Sequence, residues 1–285
     1  MTVLVTGASG RVGRHVVEEL AGLGVPVRAA RHGAAGDGGP AAVVPFSFTD
    51  PGTWQAAFEG VESAFVMRPP QIGNVKRDMV PALEAARRAG VRRMVLLSLQ
   101  GAERNPVVPH HALEKWLRAS DVEWTFVRAG FFMQNLSTTH AADIRDRGEI
   151  VLPAGHGRTS FVDARDVAAV AARALSGDAL VRRAVTPTGD RALTYTEVAA
   201  ALSRELARPV RYTRPGPLRF WRHVRAQDTP RAESAVMLAL YTSCRFGLAA
   251  RVTDDVSLVL GRPPRTFAEF AHAERAAWAS RTAAP

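Results

Sequence analysis

The chain is expected to fold as a doubly wound α/β protein, a parallel Rossmann sheet with a smaller mixed C-terminal lobe. Three observations point there. Short apolar runs alternate with helical patterns through the first half of the chain. A glycine-rich turn follows the first run directly. Right-handed crossovers then close such an alternation into one sheet.

The first run, Val3-Leu4-Val5, leads into Thr6-Gly7-Ala8-Ser9-Gly10-Arg11-Val12-Gly13. Gly7, Gly10 and Gly13 stand three apart, in a turn where side chains would hold a phosphate away from the backbone. Val12, Val16, Val17 and Leu20 recur at helical spacing. A helix is therefore expected over about 12 to 22, its first amides facing an anion. Strand, turn and helix start together predict a dinucleotide pyrophosphate site carried by Gly7, Ser9, Gly10, Arg11, Val12 and Gly13. An ordinary glycine turn is the plain alternative.

The further runs are Val25 to Ala29, Ala42 to Phe46, Ser63 to Met67, Arg93 to Ser98 and Glu123 to Arg128. Helical patterns fill the gaps at about 52 to 59, 74 to 89 and 109 to 119. After Gly189 the rhythm is lost. The expected division is a dinucleotide-binding domain over 1–150, with 160–188 returning to it, and a substrate lobe over 189–285.

Ligands of such sheets lie beyond the carboxyl ends of the strands, so the residues ending each run are binding positions. An acid about 20 residues past the glycine turn would read a ribose 2′-hydroxyl; Ala30-Arg31-His32 stands there instead. Arg31, together with Arg11, offers a guanidinium to a 2′-phosphate, which favours NADP(H) over NAD(H). An exposed surface arginine is the alternative. Ser47 and Phe48 follow the third run, where they would meet the adenine, although Phe48 serves equally well as core. Met67, Arg68 and Pro69 follow the fourth, beside the nicotinamide ribose, with Pro69 and Pro70 stiffening the loop. A plain turn would look the same.

Composition narrows the partners. The 285 residues are 47% apolar, enough for a substantial core, and carry a formal charge of +10. The arginines are scattered rather than blocked, so nucleic acid is not expected as a partner. The densest stretch, Arg204 to Arg231 with Phe220 and Trp221 inside it, reads either as a solvated helix face or as cover for a binding cleft, where Trp221 would touch substrate. No run of about 18 apolar residues is present to span a membrane, and Met1 to Thr6 read as a strand rather than a signal peptide, so a cytoplasmic protein is expected. The single cysteine, Cys244, fits a reducing compartment. His110 and His111 are adjacent with no further ligand cluster, so no metal site is expected.

The chain resembles the NmrA-like branch of the atypical short-chain dehydrogenases. After the glycine turn the resemblance runs through Thr49-Asp50-Pro51, Phe58-Glu59-Gly60-Val61, Met67-Arg68-Pro69-Pro70-Gln71-Ile72 and Leu97-Ser98-Leu99-Gln100-Gly101-Ala102. It continues through Pro109-His110-His111-Ala112-Leu113-Glu114, Trp124-Thr125-Phe126-Val127-Arg128, Gly130-Phe131-Phe132-Met133-Gln134-Asn135 and Thr159 to Val167, and ends at Gly261 to Phe267. It covers almost the whole chain. Members include NADPH-dependent quinone reductases and cofactor-sensing regulators. The family usually has an acid where Ser47 stands and a proline where Ala129 stands. It often has one more residue before the basic group near Arg31, which makes His32 a rival for the phosphate.

Short-chain dehydrogenases usually place a catalytic tyrosine four residues before a lysine, and this chain has no such pair among Tyr195, Tyr212, Tyr241, Lys76 and Lys115. A simple ketone yields an alkoxide, which needs a placed proton donor. A quinone yields a phenolate of pKa about 10, for which water suffices. The expected function is thus NADPH-dependent hydride transfer to a quinone, aromatic polyketide or similar conjugated carbonyl, by a monomer or homodimer. The alternatives are a non-catalytic NADP(H)-sensing regulator and a non-redox dehydratase, cyclase or epimerase.

The candidate catalytic residues are Ser98, His110, His111 and Glu114. Ser98 ends the fifth run; either its hydroxyl reaches the ligand or it caps a strand end. His110 and Glu114 are spaced i, i+4, so Glu114 is expected to fix the imidazole's tautomer and raise its pKa, unless the two form an ordinary surface pair. His111 is the other candidate to face the cofactor. Asp163 and Asp166 are expected to brace a helix start. Phe131, Phe132 and Met133 would form the wall on which a flat acceptor stacks, with Gln134 or Asn135 adding an orienting hydrogen bond.

Overall fold

The computed structural model describes residues 1–31 and 41–279. The strands in chain order are β1 (Val3–Val5), β2 (Val27–Arg31), β3 (Ala42–Pro45), β4 (Ser63–Met67), β5 (Arg93–Leu99), β6 (Glu123–Ala129), β7 (Phe131–Phe132), β8 (Glu149–Ile150), β9 (Arg158–Val162), β10 (Arg183–Val185), β11 (Ala192–Thr194) and β12 (Arg211–Tyr212). Seven of them form one sheet in the order β10-β6-β5-β4-β1-β2-β3, every pair parallel. The strand order reverses between β1 and β4, the switch point at which doubly wound sheets bind their ligands.

Helices α1 (Gly13–Gly22), α2 (Trp54–Phe58), α3 (Val75–Asp78), α4 (Val80–Arg88) and α5 (Pro109–Ala119) lie between the first six strands. α1 buries Gly13, Val16, Val17 and Leu20, the stripe visible in the sequence. Sheet and helices share a core in which Leu4, Val66, Leu96 and Phe126 meet Leu83 and Leu113.

Two elements differ from expectation, each for a proline. The helix expected over 74 to 89 is two helices, with Met79 at φ −120° between them, because Pro81 has no N–H to offer the carbonyl four residues back. The second strand is displaced by two residues, because Pro26 cannot donate to a ladder and pairing begins at Val27. That displacement makes Arg31 the last residue of β2, opposite Pro45.

The described chain divides into two compact units. The first contains Met1–Ala129, Ala164–Pro187 and Asp255–Arg262; the second contains Gly130–Asp163, Thr188–Asp254 and Pro263–Pro285. The boundary expected at 150 therefore falls at Ala129. There the chain leaves the large sheet, and β7 pairs instead with β9 through Phe131 and Phe161. The return begins at Ala164 rather than 160, since β9 belongs to the smaller sheet. Helix α6 (Gln134–Ser137) precedes the return, and α7 (Ala164–Ser176) makes it, packing beside α1 and against β4, β5 and β6. The segment 189–285 is not one body either, because the helix Asp255–Leu260 packs on α7 and the wholly buried Asp166 accepts a hydrogen bond from Arg262 Nη2 at 2.8 Å.

The second unit holds a mixed three-stranded sheet, β11-β9-β7, and the pair β12-β8. Tyr195, Phe220, Phe270 and Trp278 form its core. Among the described residues no helix is long and apolar enough to cross a membrane.

One side chain ties the switch point together. The Thr6 hydroxyl donates to the Phe65 carbonyl at 2.9 Å and accepts the Met67 N–H at 2.9 Å, locking the end of β1 to the end of β4. Thr6→Val keeps the shape and strands the Met67 amide. A loss of about 1–3 kcal/mol in urea unfolding is expected; an unchanged midpoint would contradict the clamp.

Candidate active site in the first unit

The turn after β1 is packed backbone against backbone. Gly7 has φ +63°, a left-handed conformation that favours glycine, and a Cβ there would collide with the Met67 side chain. A Cβ on Gly13 would overlap the Gly7 carbonyl oxygen. The Gly10 N–H donates to that same carbonyl at 2.8 Å, and α1 follows at once. The turn thus brings a helix amino end against a strand end with no side chain between them, the arrangement a pyrophosphate requires. Ser9 and Arg11 are exposed at its rim, while Val12 is buried and has only its backbone to offer.

Arg31 ends β2 half-exposed, with its Nε buried and without a hydrogen-bond partner among the described residues. A buried donor left unpaired is costly, and a phosphate oxygen would supply the missing acceptor. His32, the rival for that role, lies outside the described residues. The residues present therefore fit a dinucleotide.

Ser47 is half-buried and closes its own loop. Its hydroxyl meets Thr49 Oγ1 at 3.1 Å, and its carbonyl accepts the Trp54 indole N–H at 2.8 Å. Phe48 is core rather than adenine wall. Its ring packs edge-on against Phe46 with centroids 4.9 Å apart, because both rings fall on the inward side after β3.

Met67, Arg68 and Pro69 are half-exposed at the end of β4. Arg68 folds onto its own loop, its Nη1 donating to the carbonyls of Pro69, Pro70 and Ile72 at 3.0, 3.2 and 2.7 Å. Burial holds its pKa below the ordinary arginine range.

The four catalytic candidates are distributed differently from the expectation. Parallel pairing of β5 with β6 sets Ser98 beside Arg128, and α5 lays Glu114 over both. Glu114 is wholly buried. Its Oε1 accepts from the Ser98 hydroxyl at 2.7 Å and Arg128 Nε at 2.9 Å, and its Oε2 accepts from Arg128 Nη2 at 2.7 Å and Arg118 Nη2 at 2.9 Å. Arg128 Nη1 also pairs with Glu103 at 3.3 Å. Burial pushes the Glu114 pKa up, but hydrogen bonds from Arg128 and Ser98 and the charges of Arg128 and Arg118 outweigh it. The carboxyl stays below its usual range and remains ionised.

Two corrections follow. Ser98 is inaccessible, and its proton is committed to a carboxylate that can only accept. Glu114, with its oxygens engaged elsewhere, does not fix the His110 tautomer. The His110 pKa falls instead of rising: burial first, then the Arg68 charge, bring it down to about 4 against the opposing pull of Glu114. His111 turns to the loop, its Nδ1 donating to the Ala102 carbonyl at 2.9 Å.

The second unit carries the residues expected to bind substrate. Phe131 and Phe132 are half-buried in β7, and Asn135 and Trp221 are also half-buried. Gln134 is buried and donates its amide to Asp163 Oδ1 at 3.0 Å, so a buried carboxylate holds it rather than a ligand. Asp163 and Asp166 flank the start of α7, and each also accepts a hydrogen bond from a partner side chain, Gln134 and Arg262 respectively. Sequence reasoning overlooked Thr6, Glu103 and Arg118. The Glu114-to-Arg118 spacing of i, i+4 was a readable signal; the other contacts need the strand pairing.

The chain matches the NmrA-like family over residues 1–237. It is 36% identical to an NAD(P)H azoreductase from Xenophilus azovorans, over 97% of this chain and 99% of the relative. It is 34% identical to a (4-alkanoyl-5-oxo-2,5-dihydrofuran-3-yl)methyl phosphate reductase from Streptomyces griseus, over 95% and 98%. Its fold matches that of an NADPH-dependent quinone oxidoreductase from Escherichia coli, solved with NADPH, at TM-score 0.85 and 24% identity, over 94% of this chain and 98% of that one.

Glu114→Ala leaves two arginines and a serine without their buried partner, and should cost about 3–5 kcal/mol of stability in denaturant titration. His110 sets a pH window. It folds with a pKa near 4 and unfolds with one near 6.5, so the unfolded chain takes its proton first. Stability should fall as pH drops from 6.5 towards 4, and the fall should be shallower in His110→Gln, as read from urea midpoints across that range.

Proposed function

Because the chain belongs to the NmrA-like family, we propose that it is an NAD(P)H-dependent reductase that prefers NADPH and reduces flat conjugated acceptors: quinones, aromatic polyketides or related carbonyls. The observation that carries the reading is the turn from Gly7 to Gly13, in which neither end glycine has room for a Cβ, with Arg31 at the end of the neighbouring strand. The relatives' names support the acceptor class, since an azo group, an oxo-dihydrofuran and a quinone are all electron-poor unsaturated systems.

The bound cofactor supplies hydride. The chain supplies position. Backbone amides at the start of α1 hold the pyrophosphate, Arg31 reads the 2′-phosphate, and Met67 to Pro69 line the nicotinamide end. No accessible acid among Ser98, Glu114 and His110 stands ready to protonate an alkoxide, because all three are buried and His110 stays neutral above about pH 4. Acceptors whose reduced oxygen is a weak base suit such a site.

The same burial favours one other reading, a protein that binds NADP(H) and catalyses nothing. Absorbance at 340 nm separates them. With NADPH and a panel of quinones the reductase reading expects steady oxidation; tight binding without oxidation would overturn it. Arg31→Ala should raise the KM for NADPH about 10–100-fold, the worth of one or two charge-assisted hydrogen bonds, and leave that for NADH nearly unchanged. Equal effects on both cofactors would remove Arg31 from the 2′-phosphate.

A further inference from the structure

The helix Arg231–Arg245 lies in the second unit and is apolar on both of its faces. No charged residue stands between Glu233 and Arg245. The inner face buries Ser234, Tyr241 and Cys244. The opposite face carries Ala232, Ala235, Val236, Ala239 and Leu240, all exposed and spaced as one helical stripe. Just past the helix end the chain adds Phe246, 71% exposed, and Leu248, 76% exposed. A surface helix ordinarily turns charge to the solvent, and a helix that is apolar all round is normally a buried one. This one leaves its outer face open.

The helix Pro217–Arg225 packs beside it. Phe220 and Tyr241 meet edge-on with ring centroids 6.1 Å apart, so the inner faces of both helices close one core and the outer faces look away from it. On Pro217–Arg225 the residues Leu218, Arg219 and Arg222 are exposed, Leu218 by 62%. Basic charge borders the apolar stripe. Residues 217–248 hold five arginines against two acids, Asp228 and Glu233. Of these, Arg219, Arg222, Arg231 and Arg245 have no ion-pair partner among the described residues.

We propose that the outer face of this helix pair is a docking surface for an anionic lipid bilayer. Val236, Leu240, Phe246 and Leu248 enter the headgroup boundary, and the arginines meet lipid phosphates. The proposal is independent of the reductase reading. Charge selects this occupant. Arg231 and Arg245 close the two ends of the stripe, so a second copy docked on it, parallel or antiparallel, sets arginine ends against arginine ends. A negative lipid surface attracts the same charges, and the formal charge of +10 on the whole chain adds to the attraction. Docking of this kind needs no helix that crosses the membrane.

The full chain is sedimented at low salt with vesicles of phosphatidylcholine and phosphatidylglycerol in equal parts, or of phosphatidylcholine alone. Wild type should bind the mixed vesicles about tenfold or more tightly than the neutral ones, and the binding should fade as salt rises. Val236→Glu combined with Leu240→Glu sets two carboxylates on the stripe at exposed positions, and should weaken binding about tenfold or more. Arg219→Ala combined with Arg222→Ala should weaken it about fivefold for each arginine removed. The arginine pair decides the matter by itself should the glutamates disturb their helix. Failure of wild type to bind the mixed vesicles, equal binding to both kinds, or a folded variant that binds as wild type does would each overturn the surface. So would a wild-type dimer, seen by analytical ultracentrifugation, that the two glutamates split into monomers, because the face then belongs to a second copy.

Discussion

Everything at the cofactor end depends on one steric constraint: Gly13 has no room for a Cβ over the carbonyl of Gly7. That contact brings the first turn of α1 against the end of β1, and the helix amides then lie where an anion can reach them. Thr6, one residue earlier, fixes the adjoining strand by bonding both Phe65 and Met67. Met67 in turn covers Gly7, so strand, turn and neighbouring strand are placed as one piece. Arg31 and Arg68 inherit their positions from it, at the ends of β2 and β4.

A second fixed point lies one strand further along the sheet. The Glu114 carboxylate gathers Ser98, Arg118 and Arg128 and so joins β5, β6 and α5. Two carboxylates, Glu114 and Glu103, balance two arginines, which lets charge be buried without a net excess. The cost of this arrangement is chemical. A serine and a glutamate at positions that look catalytic in the sequence are withdrawn from solvent and hold the sheet end rigid.

The sheet was legible because buried parallel strands read as apolar runs, and the glycine turn was legible because its geometry leaves few residues a choice. Ser98 and His110 do not stand in the pairings that sequence spacing suggests. Spacing along α5 pairs His110 with Glu114, but a strand neighbour, Arg128, wins the carboxylate with two hydrogen bonds, and that contact spans residues far apart in sequence. The domain boundary was missed for a similar reason. Phe131 and Phe132 continue the apolar run of β6 almost without a break, and only their pairing with β9 shows that the chain has changed sheets. Phe48 and Gln134 show the limit of reading single residues: each suits a ligand, and each is claimed by an interior partner.

The central claim is that the Gly7-to-Gly13 turn holds a cofactor that gives up its hydride, not one that is merely sensed. Single-turnover oxidation of NADPH carrying deuterium at C4, mixed with enzyme and a quinone, tests this most directly. The account predicts loss of 340 nm absorbance that is slower for the hydride-bearing deuterated face than for unlabelled NADPH. A protein that quenches or enhances NADPH fluorescence on binding, yet leaves the 340 nm absorbance unchanged with every acceptor, would contradict it.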